Sequence, residues 1–77
     1  MPRPIKVIAA DVVSNWSRVD PYAEPYLRNM FMVSALDDTY LGADGQTFVL
    51  RFLCNASTWR GEAARRVKAE LKALLKN

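Results

Sequence analysis

The sequence predicts a small all-α protein: one compact domain, residues 1–77, of about four short helices in a bundle or orthogonal packing. Three observations predict it. Apolar residues recur every three or four positions along most of the chain. Turn formers gather at Pro2/Pro4, at Asp20-Pro21 with Pro25, from Gly42 to Gly45 and from Asn55 to Gly61, and leave four segments between them. With 51% apolar and 25% charged residues, the composition is that of a folding chain rather than a disordered one. No repeat, linker or low-complexity tract divides it.

The first segment, about Ile5 to Arg18, sets Ile5, Ile8, Val12 and Trp16 on one helical stripe, widened by Ala9 and Val13. Pro4 suits a first helical position because it lacks the N–H that would go unpaired there. Val7-Ile8 and Val12-Val13 would also suit a short strand, but the three- and four-residue spacing favours helix.

The second segment is expected from about Pro25 to Tyr40, with Asp20-Pro21 or Glu24-Pro25 as its cap and start. Tyr26, Leu27, Met30, Phe31, Met32, Val33, Ala35 and Leu36 make it apolar nearly all round, as for a central helix. Any face left uncovered would be a binding surface. Asp37-Asp38 and Leu41 to Gly45 form the middle turn.

Asp44 is placed to cap a third helix, roughly Gly45 to Asn55, with Phe48, Val49, Phe52, Leu53 and Ala56 facing the core. The fourth helix should begin at Ser57 or Thr58 and run to about Leu75. Ala63, Ala64, Val67, Leu71, Leu74 and Leu75 share its apolar face. Glu62–Arg66 and Arg66–Glu70 are four-residue charge pairs on its flank.

Seventy-seven residues bury only about 60% of their unfolded surface, so stability should be a few kcal/mol. There is no histidine, which removes the commonest general base and metal ligand. Cys54 is the only cysteine, so no internal disulfide can form; within Phe52-Leu53-Cys54 it reads as a small buried hydrophobe. The expectation is a protein with no cofactor, no metal and no catalytic residues. No apolar run is long enough for a membrane span, and the basic start lacks a signal peptide's uninterrupted core. A cytoplasmic location is expected, and Asn55-Ala56-Ser57 matches a glycosylation acceptor only formally.

The net charge of +3 is unevenly spread. Residues 60–77 carry six basic and two acidic side chains, against two and five in residues 20–59. Arg65, Lys68, Lys72 and Lys76 recur at spacings of three and four, a basic face that could follow nucleic-acid phosphates or simply meet water. Thr58-Trp59-Arg60-Gly61 is a candidate anion-binding helix start. The favoured alternative has Trp59 in the core and Gly61 making room for the third helix. Tyr22, Tyr26 and Met30 form a candidate partner-facing apolar patch, with core packing as its alternative. A helix-turn-helix across Asn55 fits poorly, because Gly61 or Arg66 falls where an aliphatic anchor is needed. A calcium loop opened at Asp37 or Asp38 would have to close on Phe48 or Val49, which cannot ligate.

Asn15-Trp16, Pro25-Tyr26-Leu27, the run from Phe52 to Ala63 and Lys68-Ala69-Glu70-Leu71 together resemble a group of short uncharacterised proteins carried by bacteriophages and bacterial mobile elements. The specific part is Asn-Ala-x-x-Trp-Arg-Gly, here Asn55 to Gly61. At Tyr40-Leu41-Gly42 the chain departs from the group, in which tyrosine is directly followed by glycine, so its middle turn is expected one residue longer. The resemblance implies a phage or prophage setting and no activity. The leading expectation is a non-enzymatic interaction protein that binds and modulates a host protein, or pairs with itself. The alternative is nucleic-acid binding through the basic face of the last helix.

Overall fold

The computed structural model describes residues 2–76. Among these residues the chain is mostly helical: α1 (Ile5–Asn15), α2 (Glu24–Met30), α3 (Gly45–Cys54) and α4 (Glu62–Lys76). It is not purely helical. Between α2 and α3, β1 (Thr39–Tyr40) pairs antiparallel with β2 (Ala43–Asp44), with Thr39 opposite Asp44 and Tyr40 opposite Ala43. Leu41 (φ 53°) and Gly42 (φ 81°) turn the corner, the two consecutive positive φ angles of a tight hairpin.

The second helix is where the structure departs most from the sequence pattern. It spans seven residues and stops at Met30 instead of reaching Tyr40. The apolar run continues through Phe31, Met32 and Val33, but its backbone has other work. The carbonyls of Ser34 and Val33 accept from the N–H groups of Ile5 (2.9 Å) and Lys6 (3.0 Å), at the start of α1. Those of Asp38 and Leu36 accept from Gly45 (2.8 Å) and Gln46 (3.0 Å), at the start of α3. One irregular segment therefore satisfies the leading N–H groups of two helices. Asp38 holds it in shape, its Oδ2 accepting from the N–H groups of Ser34 (2.8 Å) and Ala35 (2.9 Å).

Gly45 is needed where α3 meets this segment. A Cβ there would lie 2.5 Å from the Ala35 carbonyl oxygen and 3.2 Å from the Leu36 Cα. Asp44 caps α3 as its position in the sequence suggests, with Oδ1 accepting from the Thr47 N–H (2.9 Å) and hydroxyl (2.7 Å).

The core draws on every helix. Ile5, Ile8, Ala9, Val12 and Trp16 come from α1 and its end, and Leu27 and Met30 from α2. Phe48, Val49 and Phe52 come from α3, and Ala64, Val67 and Leu71 from α4. Val33, Ala56 and Trp59 fill in from the connections. Every residue on the central stripe of α1 is buried as its spacing predicts, whereas Val13 at the stripe's edge is exposed.

Helix α4 runs antiparallel to α1, tied by Arg3 to Glu70 and by Asp11 to Arg66. The flank pairs expected within α4 are replaced by these bonds. Arg66 and Glu70 lie on the side that meets α1, where a partner from another element is already in place.

Candidate functional site

The end of α1 and the beginning of α4 meet at one pole of the molecule. Two loops lie side by side there, residues 16–23 and 55–61. The Trp16 and Trp59 indoles stack with centroids 5.3 Å apart, and Phe52 meets Trp16 edge-on at 6.2 Å. Asp20 bridges the loops: Oδ1 accepts from the Tyr22 N–H (2.8 Å) and Oδ2 from the Thr58 hydroxyl (3.3 Å).

This geometry corrects the expected anion-binding helix start. Helix α4 begins at Glu62, so Thr58, Trp59 and Arg60 belong to the preceding loop. Gly61 has φ +108°, outside the helical range, and its carbonyl accepts from the Arg65 N–H (3.0 Å). The first turn carries the acid Glu62, which opposes an incoming anion. Thr58 gives its hydroxyl to Asp20, and Trp59 is buried in the core. Gly61 is not a spacer for α3 either: a Cβ there would meet nothing within 4 Å, and only its backbone conformation calls for glycine.

The basic face is sharpened rather than dispersed. Arg66 turns to Asp11 through Nη1 (3.0 Å) and Nη2 (3.3 Å). Glu70 receives Arg3 in a two-pronged grip, Nε to Oε2 at 2.9 Å and Nη2 to Oε1 at 2.6 Å. Arg3 also reaches Asp11 at 3.0 Å. Hydrogen bonds from Arg66 and then Arg3 hold the Asp11 carboxyl at about 2, below its usual 3.8, and Arg3 likewise holds Glu70 low. These groups are consumed internally.

Along the other flank of α4 remain Arg65, Lys68, Lys72 and Lys76, with Arg60 just before the helix; Glu70 is taken by Arg3, and Glu62 in the first turn and Asp20 on Thr58 are the acids left near them. Among the described residues no ion pair engages Arg60, Arg65, Lys68, Lys72 or Lys76. Lys68 is half-buried and donates to the Trp59 carbonyl (2.7 Å), which fastens α4 to the loop. Partial burial pushes its pKa down, and the nearby charges of Lys72 and Arg60 push it further.

The expected Tyr22–Tyr26–Met30 patch does not exist as one surface. Met30 is fully buried. Tyr26 is half-buried, with the Arg51 guanidinium 5.9 Å from its ring centre. Tyr22, 77% exposed, sits on the turn before α2 at the pole just described. A regular helix through residues 22–30 would have aligned all three, but α2 starts only at Glu24.

Another apolar surface takes its place. Val13, Val19, Leu27 and Phe31 line an open groove of about 250 Å³ between α1 and α2, with the Glu24–Arg28 ion pair at its rim. A larger hollow of about 400 Å³ lies over the start of α1, against Pro2, Pro4, Ser34, Leu36 and Leu74. The N–H groups of Ile5 and Lys6 beside it are already bonded, so it offers no anion cradle.

Cys54 is exposed, against expectation. The buried face of α3 is set by Phe48, Val49 and Phe52, and two residues beyond Phe52 the helix has turned to the opposite side. Among the described residues no charged or polar side chain is buried, and no group of three or more His, Cys, Asp or Glu side chains could hold a metal. No helix is long and apolar enough to cross a membrane. Compared with known proteins, the chain matches no family model, no curated protein and no solved structure.

Proposed function

We propose that this is a non-enzymatic nucleic-acid-binding protein whose contact surface is the free flank of α4. One observation carries it. The bonds to α1 remove Arg66 and Glu70 from that flank, and five cations, Arg60, Arg65, Lys68, Lys72 and Lys76, remain beside it against two acids, Glu62 and Asp20. Neutralising phosphates with a row of Arg and Lys side chains releases counterions, which supplies affinity without sequence readout.

The test is binding of mixed-sequence nucleic acid to the protein at about 50 mM salt, against the double variant Arg65→Ala, Lys72→Ala. Both side chains are exposed, so the fold should survive. The wild type should bind and the variant should bind far more weakly. A wild type that does not bind at low salt contradicts the reading.

A second reading is a cytoplasmic phage or prophage factor that binds and modulates a host protein; the α1–α2 groove favours only its protein-binding part. Val13 is 52% exposed, and Phe31 and Met32 at the end of α2 are 39% and 56% exposed. An apolar side chain of the partner would enter between Val13 and Phe31. A photoreactive residue at position 31 should then capture one discrete host protein, or a second copy of this chain, that the same residue at position 57 does not. Equal capture from both positions would remove it.

A further inference from the structure

The spacing of Tyr22 groups it with α2, yet the structure places it in the loop of residues 16–23, which Asp20 joins to the loop leading into α4. Its ring is largely exposed while its backbone is fixed: the Tyr22 N–H is held by Asp20, and the next residue, Ala23, is fully buried with its N–H on the Asp20 carbonyl (2.9 Å). The same Asp20 carboxylate receives Thr58, two residues before Arg60. An exposed aromatic ring on a rigid turn, joined to the loop that opens the basic flank, is the arrangement that stacks an unpaired base beside bound phosphates.

We propose that the site takes single-stranded nucleic acid, its backbone following Arg60, Arg65, Lys68 and Lys72 and one base stacking on Tyr22. This rests on the nucleic-acid reading of the α4 flank. Arg65 to Lys76 spans roughly 16 Å along the helix axis, enough for about three phosphates of an extended strand. A duplex keeps its bases paired and cannot give one to the ring, so single strands are preferred.

The probe is a fluorescent oligothymidylate of about ten nucleotides, followed by anisotropy, with oligouridylate, a duplex of equal length and inorganic polyphosphate in parallel. Three to four phosphate contacts should weaken single-strand binding roughly twenty- to fifty-fold between 50 and 200 mM salt. Tyr22→Ala should weaken oligothymidylate and oligouridylate binding about tenfold while leaving polyphosphate unaffected, and Tyr22→Trp should restore it. Arg65→Ala with Lys72→Ala should weaken every probe. If Tyr22→Ala binds oligothymidylate like the wild type, or the duplex binds as tightly as the single strand, the stacking proposal is overturned and the basic-flank reading stands. If no polyanion binds at 50 mM salt, both fall.

Discussion

Trp16 and Trp59 lie with their indole planes 8° from parallel and their centroids 5.3 Å apart, although they stand 43 positions apart in the chain. Their stack closes the pole where α1 ends and α4 begins. Trp16 is 8% and Trp59 4% exposed, so each ring also removes a large apolar area from water.

Trp59→Ala should cost about 3–5 kcal/mol, most or all of the stability of so small a domain. Trp59→Phe keeps an aromatic face against Trp16 and should cost less than half as much. Urea denaturation followed by circular dichroism separates the two; equal, small losses would show that the stack does not support the fold.

The ion network predicts an acid dependence with a definite sign. Asp11 titrates at about 2 when folded and near 3.8 when unfolded, so its contribution is present above about pH 4 and lost as pH falls toward 2. Because Arg3 and Arg66 are partly exposed, that contribution is on the order of 1 kcal/mol. Asp11→Asn should be less stable than the wild type at pH 7, with the gap closing toward pH 2. A gap that stays constant with pH would mean that the loss is one of packing, not charge.

Glycine at position 45 and leucine at position 41 should respond oppositely to substitution. Gly45→Ala drives a Cβ to 2.5 Å from the Ala35 carbonyl oxygen and should destabilise by about 1–3 kcal/mol. Leu41 is 78% exposed with φ 53°, so Leu41→Asn places a residue that tolerates this conformation before Gly42 and should stabilise by about 0.5–1 kcal/mol. Thermal midpoints moving in the same direction would contradict the backbone account.

Cys54 should react with a disulfide reagent in the folded protein, without denaturant and without loss of helical signal. Protection until the protein unfolds would return it to the core.

The helices α1, α3 and α4 were legible because each buries one stripe and repeats it. Ile5–Ile8–Val12–Trp16 and Ala64–Val67–Leu71 are such stripes, and the Asp44 cap is a side-chain signal with a fixed offset. The segment 31–38 was illegible because its role is carried by main-chain carbonyls, which leave no mark on residue type. The reach of α2 was overestimated for the same reason. Phe31 and Val33 look helical by composition, while the carbonyls of Val33 and Ser34 are drawn to α1.

The basic face was visible as spacing, but its one-sidedness was not. That Arg66 and Glu70 belong to Asp11 and Arg3 depends on how α1 and α4 cross. Tyr22 was missed as a member of the pole because its link to Thr58 runs through Asp20 across 38 positions. Asp20-Pro21 and the Glu24-Pro25 start were the local signs that residue 22 would be held outside a helix.

A heteronuclear magnetic-resonance titration of the labelled protein with oligothymidylate at low salt locates the contact surface residue by residue. Amide shifts should gather at residues 18–22, at 58–61 and on the Arg65–Lys68–Lys72 flank, and should fade as salt is raised. Shifts centred instead on Val13, Leu27 and Phe31, or no shifts at all, would contradict binding through the free flank of α4.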